Sequence, residues 1–160
     1  MAARAAPRGT RGAMSATAEF TTASAEETID CGRELARLLV PPKFLILRGE
    51  LGAGKTTLVK GIAEGLNAAD AEEVTSPTFT LIHEYEGLLD EKPVKLYHLD
   101  LYRLKNNDEA VEAGVEDVLF SGEICLVEWP ERAPGIFPDK TVNVFLELID
   151  PATRKLIVTS

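Results

Sequence analysis

The chain has 160 residues, 45% apolar and 27% charged, which is the balance of one compact domain and not of a disordered segment. No apolar run approaches the roughly 20 residues that span a bilayer, and two cysteines are too few for a disulfide scaffold. Seventeen basic against 26 acidic residues, a net charge of -9, argue against a protein that grips nucleic acid across a broad basic face, with a small local basic site left open.

The charge is unevenly spread. Arg4, Arg8 and Arg11 lie in residues 1–18, which hold no acid, so the remainder carries 14 basic and 26 acidic groups, a net of -12. That stretch of Ala, Arg, Gly and Thr lacks the apolar core of a secretory signal. It reads as a disordered basic leader, the alternative being a short transit-like segment, and Met14 is a second candidate start. Residues 19–160 then form a single domain. Ser24 and Glu27 have capping-box spacing, and Thr28, Ile29, Leu35, Ala36, Leu38 and Leu39 supply an apolar stripe, which predicts a helix to about residue 39, before Pro41 and Pro42. Phe44–Leu47 is a short apolar run that fits a buried strand. Helical spacing returns over Lys55–Leu66, with Leu58, Val59, Ile62 and Leu66 on one side.

Residues 78–85 alternate apolar and polar side chains as a strand does, and 94–104 reads as a strand running into a polar turn. Asp108 caps a short helix through Glu112, and another helical turn follows around Val115–Phe120. Ile124–Val127 is an unbroken apolar run, the mark of a central strand buried on both faces. Residues 130–140 hold three prolines and a glycine and form a loop. Thr141–Leu148 pairs with Lys155–Thr159 as a hairpin around Asp150-Pro151-Ala152-Thr153. Cys31 and Cys125 fall in a helix and in the buried strand, and a reduced cytoplasmic interior suits both.

Gly49-Glu50-Leu51-Gly52-Ala53-Gly54-Lys55-Thr56 fills G-x-x-x-x-G-K-[ST] at every fixed position, with a strand before it and a helix after it. Glycines let such a loop turn tightly while successive backbone N–H groups point at phosphate oxygens, and the helix beginning near Gly54 adds its positive end. The candidate nucleotide contacts are therefore Glu50, Leu51, Gly52, Ala53, Gly54, Lys55, Thr56 and Thr57. Lys55 reaches the β and γ phosphates, the Thr56 hydroxyl ligates magnesium, and Thr57 either bonds an α phosphate or merely continues the helix. The predicted fold is α/β, a P-loop NTPase-like three-layer sandwich with a largely parallel central sheet and a C-terminal β-hairpin.

A phosphate loop needs an acid from a neighbouring strand near the magnesium, and two strands end in one. Leu96-Tyr97-His98-Leu99-Asp100 ends in an aspartate, the usual residue for the role, while Ile124-Cys125-Leu126-Val127-Glu128 is the more apolar run and ends in a glutamate. Using both cues gives Asp100 to the magnesium shell and Glu128 to orienting or deprotonating a water. Which of the two touches the metal directly stays open, so Thr56, Asp100 and Glu128 are all candidate ligands, and Lys55 and Glu128 the candidate catalytic pair. A solvated strand end is the plain alternative for either acid. In Thr75-Ser76-Pro77-Thr78-Phe79-Thr80 four hydroxyls surround a proline; Thr78 can contact a γ phosphate or magnesium as nucleotide switches do, or the segment is a turn and nothing more. His83 and His98 have no cysteine partners and no metal-site spacing, so a hydrogen-bonded structural role is expected. Trp129 either packs over the site or closes the core edge. The chain has no Asn-Lys-x-Asp for guanine, no Asp-x-x-Gly after the aspartate strand and no arginine-rich lid, and Arg103 and Arg132 are isolated.

Four blocks in order, Gly49 to Thr57, Ser76-Pro77-Thr78-Phe79-Thr80, Tyr97-His98-Leu99-Asp100-Leu101-Tyr102-Arg103-Leu104 and Glu128-Trp129-Pro130-Glu131, make the chain resemble the bacterial TsaE (YjeE) family over about residues 20–150. The resemblance implies a magnesium-dependent ATPase needed to make threonylcarbamoyladenosine at position 37 of tRNAs that read codons starting with A. It implies TsaB and TsaD as partners, with TsaD carrying out the group transfer and tRNA met only through the complex. It also implies Thr56 and Asp100 at magnesium and Glu128 as the catalytic acid, and it favours the switch reading of Thr78. Glu50 stands where the family often has Asp, Gly87–Lys95 looks long for a connection before the aspartate strand, and the basic leader has no family counterpart. Two other functions compete: a small-molecule kinase, against which the absent lid arginines count, and a nucleotide-dependent adaptor without turnover.

Overall fold

The structure, a computed structural model, describes residues 17–159 except Pro42, Leu51, Ser76, Thr78, Phe79 and Asp139, and at Ala71 the backbone alone. In chain order its elements are β1 (Thr17–Thr22), α1 (Ala25–Ala36), β2 (Lys43–Arg48), α2 (Lys55–Gly65), β3 (Ile82–Leu89), β4 (Lys92–Asp100), α3 (Asn107–Glu112), α4 (Val115–Leu119), β5 (Ile124–Glu128), β6 (Val142–Leu148) and β7 (Arg154–Thr159). The strands form one sheet in the order β1-β7-β6-β2-β5-β4-β3. The four central strands, β6, β2, β5 and β4, run parallel. Antiparallel pairings β7 to β6, β1 to β7 and β3 to β4 extend both edges.

Side chains alternate across a strand, and on the central strands β2, β4 and β5 both sets contribute buried residues. Leu45, Leu47, Leu96, Ile124 and Leu126 pack with Leu35 of α1 and Leu58 and Ile62 of α2. Ile46, Leu99, Cys125 and Val127 pack on the other face with Ala110 of α3 and Val115 and Leu119 of α4. Every residue of β5 is buried, as its unbroken apolar run predicts, and the result is the expected three-layer α/β sandwich. Glycines let α1 and α2 touch backbone to backbone: a Cβ on Gly61 would lie 2.0 Å from the Ile29 carbonyl oxygen, and one on Gly32 2.5 Å from that of Leu58. Among the described residues no helix is long and apolar enough to cross a membrane.

Departures from the sequence reading fall at element ends and edges. Thr17 and Ala18, assigned to the leader, pair with Thr159 and Val158 in β1; a strand with Phe20 as its one large apolar residue carries little periodic signal, and the free edge of β7 supplies its partners. Helix α1 stops at Ala36, where the Arg37 N–H turns back to the carbonyls of Glu34 and Leu35, and Leu38 is exposed. The strand expected over 78–85 is described from Ile82 and runs on to Leu89, and that expected over 94–104 occupies Lys92–Asp100. Gly87–Lys95 is therefore no long connection but the arms of the β3–β4 hairpin, which turns at Asp90 and Glu91, both with positive φ. Asn106, not Asp108, caps α3, accepting the Glu109 N–H at 2.9 Å. The loop over 130–140 contains two single turns of 3₁₀ helix, Pro130–Arg132 and Pro134–Ile136.

Candidate functional site

Parallel strands bring their C-terminal ends to one edge of the sheet, and on an open α/β sheet that edge is where ligands bind. β2 leads there into the glycine loop. A Cβ on Gly49 would meet the Leu146 carbonyl oxygen of β6 at 2.6 Å, so this loop start tolerates only glycine. Gly54, with φ of +102°, caps α2 without any side-chain hydrogen bond. Helix α4 also starts at a left-handed glycine, Gly114, without a side-chain cap, but all three other helices carry acids in the first turn. Ser24 caps α1 and Asn106 caps α3, and Glu26, Glu27, Asp108, Glu109, Glu116 and Asp117 place acids in the first turns of α1, α3 and α4. The first turn of α2 has no acid. Its orphan N–H groups and positive dipole end are left for an external anion.

The two candidate acids follow from register. Asp100 of β4 lies directly opposite Glu128 of β5, and the period of two puts both on the face of Leu96, Leu126 and helices α1 and α2. Both are buried at 3% exposure. Asp100 Oδ1 accepts the Tyr102 N–H at 2.9 Å. Glu128 Oε2 lies 2.5 Å from His98 Nε2. Lys55, 6% exposed, donates from Nζ to the Gly49 carbonyl at 2.6 Å and sits 4.1 Å from the Trp129 ring centroid, a cation–π contact. Trp129 in turn packs on Tyr102 with centroids 4.9 Å apart, and the Arg132 guanidinium lies 5.0 Å over Tyr102. The backbone of Trp129 is left-handed, φ 59°, a costly conformation for a bulky residue; it turns the chain sharply after Glu128 and keeps the indole at the site.

These residues surround a cavity of about 470 Å³ lined by Gly52, Gly54, Lys55, Thr56, Thr57, Asp100, Tyr102, Glu128, Trp129 and Arg154. A volume of this size accommodates a small organic ligand. Of the predicted site residues, Gly52, Gly54, Lys55, Thr56, Thr57, Asp100 and Glu128 thus meet in one place. Ala53 is buried, and its N–H is taken by the Glu50 carbonyl at 3.0 Å. Glu50 lines a neighbouring cavity with Phe145 and Leu148. Leu51 and Thr78 lie outside the described residues. Another cavity of about 480 Å³, beside Gly87 and Val94, holds none of the candidates.

The sequence reading did not single out Arg154 or Tyr102 for the site. Arg154 follows the hairpin turn and donates from Nη2 to the Gly52 carbonyl at 3.3 Å across 102 residues of chain; no local spacing signals that contact. Tyr102 lies in the Tyr97–Leu104 block, just past the strand end at Asp100. The two histidines part company. His83 bonds Tyr85 Oη at 3.4 Å, and burial, then the nearby His98, push its pKa down, whereas His98 joins Glu128. The oxygen donors of Thr56, Asp100 and Glu128 fit a hard divalent cation. Among the described residues no cluster of three or more His, Cys, Asp or Glu forms a cage, and magnesium is commonly held by one or two carboxylates with phosphate and water completing the shell.

The model of a family described as threonylcarbamoyl adenosine biosynthesis protein TsaE matches residues 22–156. The chain is 38% identical over 135 residues to the tRNA threonylcarbamoyladenosine biosynthesis protein TsaE of Treponema pallidum, covering 84% of this chain and 95% of that protein. It is 40% identical over 141 residues to the protein of the same name from Aquifex aeolicus, covering 86% and 92%. The crystal structure of Bacillus subtilis YdiB superposes with a TM-score of 0.69 at 30% identity, over 92% of this chain and 88% of that one.

Proposed function

Because this chain belongs to the TsaE family, matching its model across residues 22–156, we propose that it is a magnesium-dependent ATPase serving tRNA threonylcarbamoyladenosine formation at position 37 together with TsaB and TsaD. The names of its relatives, tRNA threonylcarbamoyladenosine biosynthesis proteins, support the pathway. The observation that carries the ATPase reading is the opposition, across one cavity, of an uncapped and acid-free helix end with Lys55 on one side and two carboxylates, Asp100 and Glu128, on the other.

The N–H groups of Gly54, Lys55, Thr56 and Thr57 bind phosphate oxygens, and Lys55 exchanges its hold on the Gly49 carbonyl for the β and γ phosphates. Thr56 and Asp100 would hold magnesium, with Glu128 as the further carboxylate lining the same cavity. Bound there, the ion would supply charge neutralisation at the phosphate oxygens. Glu128 orients a water and takes its proton at the carboxylate as the water oxygen bonds to the γ phosphorus and the bond from that phosphorus to the β–γ bridging oxygen breaks, releasing ADP and phosphate. Trp129 and Tyr102 wall the cavity and limit bulk water around Lys55. Hydrolysis resets the chain after each round with its partners.

Steady-state phosphate release with magnesium, measured with and without TsaB and TsaD, tests the proposal: a low rate alone, raised by the partners, is the expected result. Glu128→Ala with the stimulated rate intact removes the assigned role, and ATP consumption that yields a phosphorylated metabolite instead of free phosphate makes the chain a kinase. Bonds to charged groups contribute roughly 1.5–3 kcal/mol, so Lys55→Ala is expected to weaken binding of a fluorescent ATP analogue by about 10- to 100-fold.

A further inference from the structure

We infer that His98 is a positioning residue for Glu128, an assignment that rests on reading Glu128 as the group that handles the attacking water. His98 is fully buried on β4, on the same face as Val94 and Leu96 and in register with Leu126. An aliphatic side chain would fit that surface without burying a polar ring. Among the described residues its Nδ1 is buried with no hydrogen-bond partner, so no polar network of the core accounts for the imidazole there. Its Nε2 lies 2.5 Å from Glu128 Oε2. A carboxylate can only accept, so Nε2 carries the proton and donates.

The placement is directional. Glu128 lines the cavity, and His98 stands behind it, outside the lining. With Oε2 held from behind, the three rotatable bonds of Glu128 lose most of their freedom and Oε1 is the oxygen left for a water. A base oriented by a third group is the general arrangement of activated sites. The pairing also answers a local problem. Asp100 and Glu128 lie directly opposite on adjacent strands, where like charges repel and flexible carboxylates swing apart. The Tyr102 N–H fixes Asp100 Oδ1 at 2.9 Å, and His98 fixes its neighbour. Tyr102 and His98 thus anchor one acid each, and the distance between the two acids is set by the sheet.

The test compares His98→Leu, His98→Asn, His98→Gln and Glu128→Gln in the full chain. Partner-stimulated phosphate release, affinity for a fluorescent ATP analogue and thermal midpoint are read for each. A catalytic group displaced by about 1 Å loses on the order of 10²-fold in rate, so His98→Leu and His98→Asn are expected to lower kcat by about 10- to 100-fold with KM and analogue affinity held within about twofold. Asn keeps a polar amide but places it short of the Nε2 position, and it carries the test if the Leu variant does not fold. His98→Gln, whose amide reaches the Nε2 position, is expected to recover much of kcat, which a packing role would not produce. The double variant His98→Leu with Glu128→Gln is expected to be no slower than Glu128→Gln alone. A wild-type kcat in His98→Leu or His98→Asn, beside an inactive Glu128→Gln, overturns the role of His98 and leaves the function of Glu128 standing. Gln as damaging as Leu, with affinity and thermal midpoint falling together, makes His98 a core residue and also overturns it. An active Glu128→Gln overturns both readings.

Discussion

Cys31 and Cys125 are buried in opposite layers of the sandwich, and burial pushes each thiol from its ordinary 9.0 up to about 12, helped by Glu34 and Glu123 respectively. Thiolate is the reactive form, so neither cysteine is expected to react with a disulfide reagent in the native protein at neutral pH, while both react once the chain is unfolded. Fast labelling of the native state contradicts the burial. The sign for stability is also set. A folded pKa above the unfolded one means that the folded chain holds the proton longer, so the thiols' contribution is complete below pH 9 and is lost as pH rises toward 12. Alkaline unfolding curves are expected to move to lower denaturant as pH climbs through that window. The residue scale is also where local spacing was most informative: Gly49, Gly54, Lys55 and Thr56 are neighbours in chain and in space. It was least informative for His98, whose spacing named no metal or triad and whose partner lies 30 residues away.

At the scale of elements, α2 carries the glycine loop's helix end, and its position is set by the close crossing with α1. Ala in place of Gly within an exposed helix is ordinarily stabilising by about 0.5–1 kcal/mol. Here the added Cβ would stand 2.0 Å from a carbonyl oxygen, and forcing extra atoms into packed cores costs about 1–3 kcal/mol or more. Gly61→Ala is expected to destabilise the protein by at least that range in chemical denaturation and to weaken nucleotide binding by shifting α2. Unchanged stability contradicts the close crossing. Helices α1 and α2 and strand β5 were legible because each has a complete apolar pattern. Strand β1 was not, because an edge strand on a half-covered face needs few apolar residues, and the β3–β4 hairpin was missed because its turn residues, Asp90 and Glu91, are charged and not the usual Asn-Gly or Asp-Gly.

For the whole molecule, charge separates the proposed role from direct tRNA binding. Residues 19–160 carry a net of -12, and the helix end and Lys55 offer an electropositive point the size of a phosphate group, not a face the size of a duplex. The isolated chain is expected to bind tRNA weakly at physiological salt, with partners needed for capture. Tight binding whose logarithm falls steeply with salt contradicts this, and a filter-binding titration across salt concentrations decides it.

The sequence by itself determined the family, the glycine loop with its strand and helix, and two strands that end in acids, because each of these is written in consecutive residues or in a short period. The tertiary structure alone decided that Asp100 and Glu128 stand opposite one another on the face of α2, that His98 backs Glu128, and that Arg154 and Tyr102 reach the same cavity. Those relations depend on the register between strands far apart in the chain, and a shift of one residue in β4 or β5 would turn His98 and Asp100, or Glu128, to the other face of the sheet.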